Sequence, residues 1–303
     1  MIVLAFPELE DIGRKVAESL GSRFQAIYRK VFPDGESYVR IEANVKGKDV
    51  VLIQTTYPEQ DKRLLELLFA ADALRNHGAR SVKVVLTYLA YARQDREFLP
   101  GEAVSVRTVL RLLSSVGVDA LYVVDLHKPE SLRHFAGQAK NIIPSKVFSN
   151  KLRSMGLKNP IVVSPDLGAS HRAKALASGL GCEYFIIRKH RDRITGQIRH
   201  ELPENIDVGG KEAVIVDDII STGGTVANIA SFLRRCGAST VFAVVSHSLF
   251  VGEALRRLRG AGVNKVLTLN TLASRVNNDL IEYVDVSPEL ITALREHSTP
   301  WGW

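Results

Sequence analysis

The run Val214-Ile215-Val216-Asp217-Asp218-Ile219-Ile220-Ser221-Thr222-Gly223-Gly224-Thr225 concentrates more chemistry than any other part of the chain. An apolar strand ends in two adjacent acids, and a short loop of hydroxyl and glycine residues follows. Gly223 and Gly224 let the backbone come close to a phosphate. The N–H groups of a helix starting at about Thr225, with the hydroxyls of Ser221, Thr222 and Thr225, can surround its oxygens. Asp217 and Asp218 sit too close to that pocket to bind the same group. They suit ribose hydroxyls, directly or through a Mg²⁺-bound water. The plain alternative is a strand-to-helix loop with two exposed acids and a Ser/Thr cap. A lone acid pair fits that alternative, but the whole string is far more specific. It lacks the Gly-Lys-Ser/Thr of a Walker A loop.

Such a site belongs at the carboxyl end of a strand in a parallel sheet. The rest of the sequence supplies that sheet twice. In the first half, apolar β-type runs fall at Val50–Thr55, Val82–Tyr88 and Ala120–Asp125. In the second, they fall at Ile161–Ser164, Tyr184–Arg188, Ala213–Asp217, Val241–Ser246 and Lys265–Leu269. Between them the spacing predicts helices over Lys62–His77, Ala103–Val116, Ser170–Ser178, Thr225–Cys236 and Gly252–Arg259. The first of these places Leu64, Leu65, Leu67, Leu68, Ala71 and Leu74 largely on one side. Continuous apolar strands alternating with amphipathic helices mean parallel sheets covered on both faces. The expected fold is α/β, with two domains of similar plan over residues 1–145 and 146–303, joined near Ile143–Lys158. Phe24–Ile41 reads as a hairpin around a Pro-Asp-Gly-Glu turn, added to the first sheet. The tail from Val284 reads as a strand, a helix with the option of packing back on the first domain, and an exposed Trp301-Gly302-Trp303 end.

Composition narrows the classes. The chain has 303 residues, 46% hydrophobic and 24% charged, which suits a globular protein of about two domains. No apolar run approaches the roughly 18–20 residues that span a bilayer, and the N-terminus has no basic region before its apolar stretch. A cytoplasmic protein without a membrane partner is expected. The net charge of +7 permits anionic ligands without choosing among them. Cys182 and Cys236 form no CxxC or metal-ligand pattern and read as buried, reduced thiols.

The acid-hydroxyl-glycine string resembles the phosphoribosyl pyrophosphate loop shared by type I phosphoribosyltransferases and ribose-phosphate pyrophosphokinases. Other segments separate the two. Phe32-Pro33-Asp34-Gly35-Glu36 resembles the FPDGE hairpin of the pyrophosphokinases. Tyr91-Ala92-Arg93-Gln94-Asp95-Arg96 with Pro100-Gly101-Glu102 resembles their YARQDR…GE segment, and Val124-Asp125-Leu126-His127 their VDLH metal site. Ser164-Pro165-Asp166-Leu167-Gly168 resembles their SPDxG turn, and Arg188-Lys189-His190-Arg191 their catalytic segment. The motifs occur in family order over nearly the whole chain. The sequence therefore resembles the ribose-phosphate pyrophosphokinase family, and its archaeal members in particular.

The resemblance implies two phosphoribosyltransferase-like domains, an ATP side first and a ribose 5-phosphate side second, with the site at their junction. It implies Mg²⁺-dependent transfer of the ATP pyrophosphoryl group to the 1-hydroxyl of ribose 5-phosphate. Lys189 and Arg191 would be catalytic, two cations on a mobile flap over the transferring group. Locally, the same residues also read as a solvated basic loop. Arg93, Gln94, Asp95 and Arg96 would meet ATP, although Arg93, Asp95, Arg96 and Glu97 can also satisfy one another as surface ion pairs. His127 would be a metal ligand beside ATP, where the local pattern alone favours a structural hydrogen bond. Asp166 would meet a second metal or ribose, where the local pattern gives an Asx turn or helix cap. Phe32, Asp34 and Glu36 would recognise adenine, by stacking and by accepting from its exocyclic amine. In the family this hairpin reaches the ATP site of a neighbouring subunit, which implies a homo-oligomer. Asp217, Asp218, Ser221, Thr222, Gly223, Gly224 and Thr225 would bind ribose 5-phosphate.

Three positions depart from the family pattern: Ser221 stands where Asp is common, Ala169 where a second Gly is common and His190 where Arg is common. Phosphate activation and ADP inhibition are therefore not carried over. Three other readings stay open here: a phosphoribosyltransferase, a non-catalytic regulatory homologue and an RNA-binding regulator. The absence of aromatic–basic interleaving disfavours nucleic acid.

Overall fold

The structure is a computed structural model that describes residues 1–191, 198–201, 203 and 206–296, with the backbone alone for residues 188–191 and 198–201. The Trp301-Gly302-Trp303 end and most of the polar stretch Lys189–Gly196 lie outside the described residues. The chain divides into two compact units. One holds Met1–Ile143, Thr271–Arg275 and the chain from Val286 onward, and the other holds Pro144–Asn270 and Val276–Asp285.

The strands of the first unit are β1 (Ile2–Ala5), β2 (Arg23–Ala26), β3 (Tyr28–Val31), β4 (Ser37–Arg40), β5 (Asp49–Gln54), β6 (Ser81–Leu86), β7 (Ala120–Val124) and β8 (Gln138–Ile142). Its helices are α1 (Glu10–Ser19), α2 (Gln60–Asn76) and α3 (Ser105–Ser115). The second unit begins with α4 (Ser145–Ser154), β9 (Pro160–Ser164), α5 (Ser170–Leu180), β10 (Tyr184–Ile186), β11 (Arg188–Arg191) and β12 (Ile198–Glu201). It continues with β13 (Glu212–Ile220), α6 (Gly224–Arg235), β14 (Thr240–Ser248), α7 (Ala254–Gly260), β15 (Lys265–Leu269) and β16 (Ile281–Val284). The last helix, α8 (Ser287–Glu296), falls in the first unit, where Arg295 donates to the Ser19 carbonyl at 2.6 Å and Lys140 pairs with Glu296.

Each unit is built on a six-stranded sheet, ordered β2-β1-β5-β6-β7-β8 in one and β10-β9-β13-β14-β15-β16 in the other. Every pairing within these sheets is parallel. Counted within its own sheet, each runs 2-1-3-4-5-6, so the direction of winding reverses between β1 and β5 and again between β9 and β13. Ligands of open α/β sheets bind outside the carboxyl ends of the strands at that reversal. Burial explains why the strands form. All of β7 is buried, as are Val50–Gln54 of β5 and Ala213–Val216 of β13, because helices cover both faces. Each unit also carries a separate antiparallel hairpin between its second and third sheet strands, β3–β4 in one and β11–β12 in the other.

The structure corrects several sequence expectations. The early hairpin is not an addition to the first sheet. Only β2 joins it, and β3 and β4 pair with each other alone. The buried stripe of α2 runs through Arg63, Glu66, Leu67, Leu68, Ala70, Ala71 and Leu74, while Leu65 is 50% exposed. That stripe follows the helical period more strictly than the leucine cluster does. Asp217 and Asp218 do not end their strand. β13 continues to Ile220 because the nine-residue β14 pairs with it as far as Ile220↔Ser248. The segment read as the inter-domain joint contains α4, which packs against α5. Cys182 and Cys236 are free, and half-buried rather than buried.

Candidate active site

In the second unit the loops after β9 and β13 flank the reversal point. Asp217 and Asp218 lie inside β13, the first half-buried and the second buried. Asp218 is only 4% exposed, and its carboxylate lies 3.9 Å from Arg172 of α5. The backbone N–H of Asp218 donates to Asp217 Oδ1 at 2.9 Å. Burial, and then the neighbouring Asp218 carboxyl, push Asp217 well above the ordinary carboxylate range. Two acids in this state favour a ligand that brings hydroxyl donors or positive charge.

The loop beyond them is held from behind. The Ile220 carbonyl accepts from Leu249 N–H at 2.8 Å, the Ser221 carbonyl from Val251 N–H at 2.9 Å, and the Thr222 carbonyl from Arg257. Gly223 takes a left-handed conformation, φ 76° and ψ 2°, at the head of α6, where no side chain caps the helix. Thr222 and Thr225 are exposed, and Ser221 and Gly224 are half-buried. A glycine-led helix start with uncapped N–H groups, flanked by hydroxyls, is suited to an anion.

Asp166 is exposed after β9, and its Oδ1 accepts from Ala169 N–H at 3.1 Å at the head of α5. The Ser164 hydroxyl donates to the Asp166 carbonyl at 2.7 Å. This is the turn that the local pattern allows, and no side chain caps α5 itself. Lys189 and Arg191 lie on β11, paired in register with His200 and Ile198.

In the first unit the candidate residues follow the adjacent strands β6 and β7. The loop after β6 is folded on two carboxylates. Glu102 accepts from Phe98 N–H at 2.8 Å and Leu99 N–H at 3.2 Å, and the Gln94 amide nitrogen lies 3.3 Å from it. Those backbone donors hold its carboxyl below the ordinary value. Glu97 accepts from Gly101 N–H at 2.5 Å. Arg96 lies over the Phe98 ring at 4.8 Å. The mutual ion pairs considered for this segment are therefore not what the loop builds. Glu97 turns to backbone, and among the described residues neither Arg93 nor Asp95 joins an ion pair. Arg93 is exposed, a guanidinium at the sheet's carboxyl edge. After β7, Asp125 is buried with φ 46°, and Leu126 N–H donates to Asn141 Oδ1 at 2.7 Å, which fixes the backbone that carries the half-buried His127. Phe32, Asp34 and Glu36 are exposed at the tip of β3–β4. There Phe32 N–H donates to the Glu36 carbonyl at 2.8 Å and Asp34 accepts from Glu36 N–H at 3.1 Å.

Among the described residues no three His, Cys, Asp or Glu side chains are placed to hold a metal together. The donors fit an ion such as Mg²⁺ that brings phosphate and water ligands of its own and needs one or two protein groups. Arg172 escaped sequence reasoning, and Glu102 was read only as part of a motif, with no role of its own. Arg172 balances Asp218, and its signal was a charge on the buried stripe of α5, beside Ala173 and Leu176. Glu102 is the clasp of the loop after β6.

Comparison with known proteins agrees with this layout. Residues 1–117 match the model of the N-terminal domain of ribose phosphate pyrophosphokinase, and residues 136–273 match the phosphoribosyl transferase domain. A ribose-phosphate pyrophosphokinase of Saccharolobus solfataricus is 40% identical over 294 residues, covering 97% of this chain and 100% of the relative. One of Pyrococcus furiosus is 43% identical over 269 residues, covering 88% and 91%. The crystal structure of phosphoribosylpyrophosphate synthetase from Mycobacterium smegmatis superposes with a TM-score of 0.87 at 28% identity, covering 98% of both chains. With both halves matched in order and relatives aligned over nearly their full length, the chain belongs to the ribose-phosphate pyrophosphokinase family.

Proposed function

We propose that this enzyme transfers the pyrophosphoryl group of ATP to the 1-hydroxyl of ribose 5-phosphate. The hydroxyl oxygen attacks the β-phosphorus, the bond from that phosphorus to the α,β-bridging oxygen breaks, and AMP leaves. The hydroxyl proton is released, and the sugar product is 5-phosphoribosyl 1-pyrophosphate. The observation that carries this reading is the uncapped Gly223-Gly224 start of α6 following the half-buried Asp217 and the buried Asp218. The helix start, with Ser221, Thr222 and Thr225, takes the 5-phosphate, and the acids take the ribose hydroxyls.

Arg93, Gln94, Asp95, Arg96 and His127 take the nucleotide. In the first unit His127 would hold Mg²⁺ carried with the nucleotide, which would supply charge neutralisation when bound, and in the second Asp166 would meet a second metal or the ribose. Lys189 and Arg191 neutralise the charge that develops on the transferring group. Such transfer depends on positioning and electrostatics more than on covalent help. Phe32, Asp34 and Glu36 read adenine in a neighbouring subunit of a homo-oligomer, dimer or larger, in the cytoplasm.

The protein incubated with Mg²⁺, ATP and ribose 5-phosphate should yield AMP and the pyrophosphorylated sugar in equal amounts, and neither when the sugar is omitted. Consumption of the pyrophosphorylated sugar with a nucleobase, with no response to ATP, would instead make it a phosphoribosyltransferase.

A further inference from the structure

The β3–β4 hairpin has one face tied into the first unit by a closed set of charges. As strands, β3 and β4 pair only with each other and not with the main sheet. A lone two-stranded ribbon is marginal in water, so side chains must set its orientation. Arg29 of β3 and Ser37 of β4 both reach one carboxylate, that of Glu66 on α2. Arg29 donates to Oε2 at 3.0 Å, and the Ser37 hydroxyl donates to Oε1 at 2.7 Å. The Glu66 side chain is 0% exposed. Arg29 also donates to Glu8 at 2.5 Å, and Glu8 lies 3.0 Å from Arg63, the residue one turn before Glu66 on α2. Val39, opposite Arg29 in the register, packs with Ile41 against the core on the same side.

The other face leads outward to the tip. Tyr28 and Phe32 both meet the Tyr38 ring edge-on, with centroids 6.2 and 5.8 Å apart. Lys30 lies 4.6 Å from the Phe32 ring centre and 5.0 Å from that of Tyr38. Phe32 is thus propped on a ladder whose strands are both held by Glu66, β3 near its base through Arg29 and β4 at its tip end through Ser37. A buried ion network of this kind fixes geometry more than it adds stability.

We infer that Glu66 is a positioning residue for nucleotide recognition: by gripping both strands of the hairpin, it sets where Phe32, Asp34 and Glu36 are presented. This rests on the reading of that tip as the adenine-recognition element. Glu66→Gln keeps the shape and removes the charge, and Ser37→Ala removes one bond and leaves the ion pair. The test measures KM for ATP, KM for ribose 5-phosphate and kcat in both variants, with Phe32→Ala alongside and a melting curve for each.

Small displacements of a contact group carry large kinetic effects, so Glu66→Gln should raise KM for ATP roughly tenfold and Ser37→Ala about threefold. KM for ribose 5-phosphate should stay unchanged, and Glu66→Asp should recover part of the loss. If Glu66→Gln does not fold, Ser37→Ala decides. If Phe32→Ala raises KM for ATP and neither Glu66→Gln nor Ser37→Ala does, the positioning role is wrong and the adenine reading stands. An equal rise in both KM values would make Glu66 merely structural and overturn the inference. If Phe32→Ala leaves KM for ATP unchanged, the adenine reading falls and this inference with it.

Discussion

Gly223 and Gly224 are neighbours in one loop, and the structure gives them different work. At Gly223 the backbone has φ +76°, and an added Cβ would lie 3.3 Å from both the Ala254 carbonyl oxygen and Leu258 Cγ of α7. A left-handed conformation costs an L-residue about 1–2 kcal/mol. The Ala254 contact adds to that, because a backbone carbonyl inside a helix yields less readily than a side chain. Gly223→Ala should therefore destabilise the second unit by about 2 kcal/mol, lowering its melting temperature by roughly 5 °C. At Gly224 an added Cβ meets nothing nearer than Thr222 Oγ1 at 4.0 Å, with no positive φ. Gly224→Ala should leave stability unchanged or raise it by up to about 1 kcal/mol, because Ala favours the first turn of α6.

Its effect should appear on the ligand. The methyl group would stand where a phosphate must approach the helix start. Losing one charge-assisted hydrogen bond, worth about 1.5–3 kcal/mol, would raise KM for ribose 5-phosphate about 10- to 100-fold. Paired melting curves and initial-rate kinetics test both halves. A stable Gly224→Ala protein with unchanged KM for ribose 5-phosphate would show that the phosphate does not sit at this helix start. A Gly223→Ala protein as stable as the parent would refute the strain argument.

Further outcomes are expected elsewhere in the two units. Lys189→Ala should cut turnover by about 10²–10³-fold while KM for ribose 5-phosphate stays within about twofold, and unchanged turnover would remove Lys189 from the site. Arg93→Ala should raise KM for ATP roughly tenfold without affecting the sugar phosphate, as read from initial rates with each substrate varied in turn. Asp217 gives a pH test on the substrate-free protein. Its folded-state value lies above the unfolded one, so the folded chain holds a proton that the unfolded chain has released. Stability therefore falls as pH rises from the ordinary carboxylate range through the raised value. Asp217→Asn removes that loss, so its melting temperature should gain on the parent over the pH range from the ordinary carboxylate value upward while its activity collapses. A constant difference across that range would contradict the burial argument.

What the sequence made legible follows from where the signals are strong. β5, β6, β7, β13, β14 and β15 are buried on both faces and show as apolar runs, and the two-unit α/β plan is readable from them. β8 was not, because Gln138, Lys140 and Asn141 give an edge strand that buries only Ile142 completely. The acid-hydroxyl-glycine loop was legible because its residue types are themselves the chemistry. The extension of β13 through Asp217 and Asp218 was not, since two adjacent acids usually end a strand, and only pairing with β14 carries this one further. Arg172 and Glu66 were hidden for one reason. Each is a charge on a mostly apolar helix stripe, and its partner, Asp218 or the Arg29–Ser37 pair, lies on a distant segment that only the fold brings near.

The central claim is transfer of the β,γ-diphosphate to a sugar, and the most direct test follows the β-phosphorus. The protein is given Mg²⁺ and ATP radiolabelled at the β-phosphorus, with and without ribose 5-phosphate, and the products are separated by anion exchange. The label should pass wholly into the sugar product, matched by unlabelled AMP, and no AMP should form without the sugar. Label recovered in ADP, or AMP formed equally in both reactions, would contradict it.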